Sequence, residues 1–283
     1  MMLVVIGYLL HDVLDIDGKL TESPGGTATY TSLAAKKLGM SVGIVSKVGK
    51  DYKYHRLLKG IDVSGVGLQE KTTTFFDTIR NSRRRERVAN IGEKLLAKDF
   101  PDKFLDADAI HIGPVIDEID FDLVKYVREN SSALITMDIQ GFVRKSVNGK
   151  VVPKKFDFSA LKHADAIHCS EDDLAGTGIR PGHLAKKCKL VILTNGYKGS
   201  IIIGENKSIQ IPAFKTKTTD ITGAGDTYMA GFVKKFLQSN DVKESGIFGG
   251  AVASFCVEGL GISGLKDEKH VIKRIEKGER NLL

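Results

Sequence analysis

The 283 residues, 42% of them apolar and 27% charged, carry no low-complexity tract; they suffice for one large α/β domain or two of ordinary size and exclude extended disorder. The formal net charge of +7 suits an enzyme of anionic nucleotides and a nucleic-acid binder equally, so charge alone does not choose. Cys169, Cys188 and Cys256 lack a Cys-x-x-Cys spacing and the histidines lack a ligand spacing, which argues for reduced thiols in a cytoplasmic protein and against a structural metal.

In chain order, the apolar start is short, lacks a basic flank and runs into His11-Asp12, so it reads as a strand and not as a signal peptide. No stretch is long enough to span a membrane. Short β-branched runs at residues 3–6, 42–46, 109–112, 133–138, 166–169 and 190–194 alternate with helical periods, the rhythm of a parallel sheet covered by helices on both faces. In open sheets of this kind ligands bind beyond the carboxyl ends of the strands, where Asp12, Asp138, Ser170 and Thr194 fall. Residues 72–80 break the rhythm. Phe75, Asp77 and Ile79 alternate there with Phe76, Thr78 and Arg80, Asn81-Ser82 offers a turn, and residues 83–88 return antiparallel; with residues 13–21 they make a small sheet. Arg83-Arg84-Arg85 with Arg87 is the densest charge in the chain. A solvated hairpin and a clamp on phosphates are both open readings, while no recognition fold or aromatic interleaving accompanies the run, so nucleic acid is not an expected partner.

Beyond the strand that ends at Asp138, Gln140 and Arg144 join Asp12 as polar groups near the strand ends; an Arg144–Asp138 pair and a turn-capping Gln140 are the plain structural readings. The segment Asp220-Ile221-Thr222-Gly223-Ala224-Gly225-Asp226 precedes a helix marked by Met229, Phe232, Val233, Phe236 and Leu237 on one face. Unpaired amides of Gly223, Ala224 and Gly225 at such a helix start form an anion site, and glycine lets a phosphate come close. Asp226 would repel that phosphate unless it faces the second reactant, which makes it the base for an attacking hydroxyl; the plain alternative is an N-capping aspartate. Gly259-Leu260-Gly261-Ile262-Ser263-Gly264 fits Gly-x-Gly-x-x-Gly but trails a helix instead of joining a strand to one, and no P-loop pattern occurs.

The Asp220–Asp226 segment resembles the C-terminal signature of the ribokinase, or PfkB carbohydrate kinase, family, Asp-Thr-x-Gly-Ala-Gly-Asp, with Ile221 alone departing from it. Gly25-Gly26-Thr27-Ala28-Thr29-Tyr30 resembles the family's Gly-Gly-x-x-x-Asn sugar-site segment, with Tyr30 in place of Asn. Ser170-Glu171-Asp172-Asp173 resembles its Asn-x-x-Glu motif, with Ser for Asn and Asp for Glu, and Thr194-Asn195-Gly196-Tyr197-Lys198-Gly199 its nucleotide-side loop. His11-Asp12-Val13, Ser46-Lys47-Val48-Gly49 with Asp51, Lys71-Thr72-Thr73-Thr74 and the 138–144 segment are similar to the myo-inositol kinases of the family, in register from about residue 3 to about 265.

The resemblance implies one α/β domain over 1–283 in the three-layer ribokinase-like fold, a mainly parallel sheet between helices, with a small β-sheet lid from about 13–23 and 72–90. It implies ATP as donor with Mg²⁺, Asp226 as catalytic base and Gly223, Ala224 and Gly225 as anion hole. Asp12, Gly25, Gly26, Asp138, Gln140 and Arg144 would surround the acceptor. Ser170, Thr194, Asn195, Gly196, Gly199, Gly250, Ala251 and Ser254, with Gly223 and Gly225, would face the nucleotide. Asp173 and Glu171 would serve the metal, although Glu171 reads equally as a helix N-terminal charge. The expected reaction is phosphorylation of a sugar or polyol hydroxyl, myo-inositol first, with ribose, a nucleoside, fructose 6-phosphate or 2-keto-3-deoxygluconate as alternatives. A non-catalytic sugar or nucleotide sensor is the alternative of another class. A lid of this kind can also dimerise, so a homodimer is a further expectation.

Overall fold

The computed structural model describes residues 1–16, 18–80, 83–175, 177–205 and 207–278, and the side chains of residues 16, 79, 80 and 83–85 lie outside that description. The chain begins with β1 (Met2–Ile6), β2 (Leu10–Ile16), β3 (Lys19–Gly25), α1 (Thr27–Lys37), β4 (Ser41–Gly49), β5 (Asp62–Gln69), β6 (Thr74–Arg80) and β7 (Arg83–Ala89). Next come β8 (Ala109–Ile112), α2 (Phe121–Asn130), β9 (Leu134–Asp138), β10 (Arg144–Val147), β11 (Lys150–Pro153), β12 (Ala166–Ser170), α3 (Glu171–Leu174), α4 (Pro181–Ala185) and β13 (Leu190–Thr194). It continues through β14 (Ser200–Ile203), β15 (Ser208–Ile211), α5 (Ala224–Ser239), α6 (Val242–Cys256) and α7 (Glu268–Lys277).

Nine strands form the main sheet in the order β15-β14-β13-β12-β9-β8-β1-β4-β5, parallel from β5 to β13 and antiparallel at the β14 and β15 edge. All six strand runs expected from the sequence lie in it. Their unbroken apolar character follows from burial on both faces. Leu3 and Val5 of β1 pack with Leu33, Val233 and Phe248 from the helices of one face, whereas Val4 and Ile6 pack with Phe104, Leu123 and Val127 on the other. This is the expected three-layer α/β architecture. Among the described residues no helix is long and apolar enough to cross a membrane.

The second sheet has the order β10-β11-β7-β6-β2-β3. Its β2–β3 and β6–β7 hairpins occupy the two expected lid segments, and β2 pairs with β6 in parallel, Val13 opposite Phe76. The sheet is larger than expected. Residues 144–153 add the β10–β11 hairpin, joined to β7 through Lys150 opposite Arg87, and closed by Asn148 and Gly149 at φ 51° and 75°. Two successive positive φ values match the twist of a two-residue hairpin, which is why Asn-Gly stands there. The expected Asn81-Ser82 turn and the side chains of Arg83, Arg84 and Arg85 lie outside the described residues. Tyr8, Leu10, Phe75, Val88, Val115 and Ile116 form the apolar seam between this sheet and the main body.

Helix α5 rests on the main sheet through Met229, Phe232 and Tyr228, and Phe232, 1% exposed, stacks on Phe236 with centroids 5.7 Å apart. Phe232→Ala should therefore cost about 3–5 kcal/mol, measured as a lower urea midpoint at unchanged slope. An unchanged midpoint would show that α5 does not depend on that ring.

Candidate active site

A cleft of about 760 Å³ opens at the carboxyl ends of β9, β12 and β13, bounded by the starts of α1 and α5 and by β2, β6 and β7 of the second sheet. Its floor is the turn into α5. Gly223 is left-handed, with φ 74°, and any Cβ there would run into the Tyr30 ring, so both conformation and space require glycine. A Cβ on Gly225 would come 2.8 Å from His168 Cε1. The Ala224 amide donates to the Ile221 carbonyl at 3.2 Å, which withdraws it from the expected anion hole. Gly225 and Asp226, at the second and third positions of the helix, carry amides that a helix start leaves without an intrahelical partner. Asp220 holds the turn closed: its carboxylate accepts from Thr222 N and from Gly261 N, both at 2.9 Å.

Asp226 does not cap α5. Gly223 occupies the cap position and no side chain bonds there. The Asp226 carboxyl lines the cleft, and burial followed by the charge of Asp138 pushes its pKa up to about 7, against a hydrogen bond from Thr27 and the nearby His168. Thr31 Oγ1 donates to the Asp226 carbonyl at 3.2 Å, tying α1 to the same turn.

Two further carboxylates lie near it, each held differently. Asp138, 5% exposed, accepts from Gln140 N at 2.9 Å and lies 2.7 Å from His168 Nδ1. Burial would raise its pKa, but the histidine outweighs that and holds it below the usual range. Both oxygens of this expected acceptor contact are thus engaged within the protein. Asp173 forms a capping box with Ser170, accepting from its amide at 2.8 Å and its hydroxyl at 2.6 Å. Burial and then the Asp138 charge raise its pKa. Glu171 and Asp172 are exposed at the cleft edge, and among the described residues no three His, Cys, Asp or Glu side chains group to hold a metal by themselves.

At the end of the cleft beneath the second sheet, Asp12 lines it from β2, and a Cβ on Gly25 would collide with its carboxylate; Gly25 itself makes room without lining the cleft. Gly26, at φ 86°, and Gln140 do line it. Arg144 donates its Nε to the Val115 carbonyl at 2.7 Å, lies 3.8 Å from Glu86, and places its guanidinium 5.7 Å from the Phe75 ring centre, so the Arg144–Asp138 pair weighed from the sequence does not form. At the opposite end, Ser170, Thr194, Asn195, Gly196, Gly199, Gly250 and Ser254 all line the cleft. Ala251 does not. It is 0% exposed in the core beneath α6, and the cleft face of that helix runs through Gly250, Ala253, Ser254 and Val257, one helical stripe turned away from Ala251.

Motif reading missed His168, Thr27 as a partner of Asp226, and the segment from Ile211 to Phe214 that walls the opposite end of the cleft. His168 stood visibly in an apolar strand, where a core histidine is the ordinary reading. The 211–214 segment carries no local signal, because its place depends on the antiparallel β14–β15 edge.

Among characterised proteins, the chain is 27% identical over 269 residues to the nucleoside kinase of Methanocaldococcus jannaschii, covering 89% of this chain and 85% of that protein. It is also 27% identical over 274 residues to the inositol 3-kinase of Arabidopsis thaliana, covering 91% and 74%. A pyrophosphate-dependent kinase of the ribokinase family, solved with a pyrophosphate analogue and myo-inositol, shares the fold with a TM-score of 0.81 at 22% identity, over 97% of this chain and 99% of that one. Residues 2–268 match the family described as pfkB family carbohydrate kinase, a span that contains the glycine turn, the cleft and both sheets, and the chain belongs to that family of sugar- and nucleoside-directed phosphotransferases.

Proposed function

We propose that this kinase transfers the γ-phosphoryl group of ATP to a hydroxyl of a small polyol or sugar, with myo-inositol as the preferred acceptor. The reading is carried by Asp226, a carboxylate with a pKa pushed up to about 7 at the same helix start as the phosphate-facing glycines. A base poised near working pH combines an ionised fraction with useful basicity. Asp226 takes the hydroxyl proton while the acceptor oxygen attacks the γ-phosphorus; the new O–P bond forms as the bond to the β–γ bridging oxygen breaks and ADP leaves. Developing charge faces the Gly223 and Gly225 amides and the positive end of α5. The second sheet over the cleft keeps water from competing with the acceptor.

For the donor, Ile211, Pro212, Ala213, Ala253 and Val257 supply an apolar wall that an adenine base would use and a bare pyrophosphate would not. The acidic groups at the cleft fit Mg²⁺ in kind, being oxygen donors, and in number, since an ion reached by Asp173 or Glu171 keeps waters and phosphate oxygens for the rest of its shell. Bound there, the ion neutralises charge on the transferring group. For the acceptor, Asp12 and Gln140 offer polar contacts around a hydroxyl-bearing ring, and the 138–144 segment resembles that of inositol kinases. A nucleoside is the second reading. Leu10, Phe75 and Val115 give the acceptor end an apolar patch suited to a base, and the two kinds of relative are equally similar.

Asp226→Asn should lower turnover by about 10³-fold or more while ATP still binds, and near-normal turnover would reject the base assignment. The same substitution should stabilise the fold. Because the folded protein keeps this proton from about pH 4 to about pH 7 while the unfolded chain loses it, stability falls across that window and the full penalty stands above pH 7. Asp226→Asn should therefore melt a few degrees higher at pH 8, with the gap closing toward pH 4, in paired melting curves. Activity runs the other way: kcat/KM should drop about tenfold per unit below pH 7 as the base protonates, and a flat profile down to pH 5 would contradict it. A coupled ADP-release screen with Mg·ATP should give myo-inositol the highest kcat/KM among inositol, ribose, nucleosides and sugar acids. A nucleoside in first place would establish the second reading.

A further inference from the structure

His168 belongs to no motif, yet every edge of its ring is committed. It lies in β12, 2% exposed, with Nδ1 2.7 Å from Asp138 Oδ2 and Nε2 3.2 Å from Thr194 Oγ1. The Tyr228 ring stacks on it at 6.4 Å and 19°. Its Cε1 lies 2.8 Å from the point where Gly225 would carry a Cβ, so the ring packs directly against the start of α5.

The pairing with Asp138 fixes one proton. A carboxylate can only accept, so Nδ1 donates to Asp138. Nε2 lies 3.2 Å from the Thr194 hydroxyl, which also lies 3.4 Å from the Cys169 carbonyl, so a protonated Nε2 has an acceptor in place. We propose that His168 is an imidazolium at working pH and a positioning residue for phosphoryl transfer, placing a fixed positive charge beneath Gly225 at the start of α5. The titratable groups around it are Asp138 from β9, Asp173 from α3, Asp226 and Tyr228 from α5, and His111 from β8. His111 is kept neutral by burial, its pKa pushed down to about 4. Burial also opposes charge on His168, but Asp138 outweighs it and raises the His168 pKa.

The charge answers a need of the site. A triphosphate must settle beside three carboxylates, and a helix start offers only about half a unit of positive charge to attract it. A whole cation behind the second glycine adds to that field where the transferring group gains charge, and it acts through the turn without touching either reactant.

The proposal rests on the glycine turn and Asp226 forming the transfer site, and its test separates the two. His168→Gln keeps a donor for Asp138 and loses the charge; His168→Lys keeps a charge. With KM for ATP and acceptor changed less than about threefold, His168→Gln should lose about 10²-fold in kcat and His168→Lys should recover at least tenfold of that. A Gln variant within about threefold of wild-type kcat, or a folded Lys variant no better than Gln, would overturn the proposal. Independently of any variant's folding, ¹⁵N NMR of the histidine-labelled wild-type protein should show one buried ring with both nitrogens protonated at the pH of the turnover assay, and a neutral ring there would overturn it too. Should Asp226→Asn abolish turnover while His168→Gln does not, the base reading stands and this one falls.

Discussion

Three carboxylates are crowded around one imidazole at the start of α5, and the fold holds them there against their mutual repulsion. The way each is compensated sorts their chemistry. Asp138 has the His168 ring and the Gln140 amide, and its pKa falls. Asp173 has the Ser170 amide and hydroxyl, which oppose but do not cancel its burial. Asp226 has a hydrogen bond from Thr27 and sits next to Asp138, so its proton affinity rises furthest toward neutrality. The carboxylate proposed as the base is thus the least compensated of the three. The others keep their negative charge or their structural bonds, and their field is what tunes it.

The same crowding accounts for the glycines. A turn that must lie against the Tyr30 ring on one side and the His168 ring on the other has no room for Cβ atoms at Gly223 and Gly225. Close packing there brings amides, helix start and imidazole together. Tyr30 fills the position where the family more often has Asn, and it meets the turn with an aromatic face instead of offering an amide to the acceptor.

The second sheet is coupled to this floor more directly than a simple cover would be. The Asp138 strand leads within six residues to Arg144, which starts the β10–β11 hairpin, bonds to the Val115 carbonyl and approaches Glu86 of β7. The sheet is therefore joined along the chain to the Gln140 turn and, through Asp138, by hydrogen bond to His168.

Much of this was legible in the sequence alone. The parallel strands announced themselves as unbroken apolar runs because burial on both faces demands it, and the turn into α5 was visible as a loop-to-helix junction at which few residues other than glycine fit. Asn148-Gly149 was an equally local hairpin signal, passed over because the strands beside it are short and polar. What the sequence could not give were relations between distant residues. That Asp138 spends one oxygen on His168, that α6 turns Ala253 and not Ala251 toward the cleft, and that Thr27 reaches Asp226 depend on how the sheet aligns strands 30 and more residues apart and on how each helix is rotated against it. Local chemistry writes the motifs, but the register of neighbouring strands and the rotation of packed helices are set by the collective burial of the core, and no single segment contains that information.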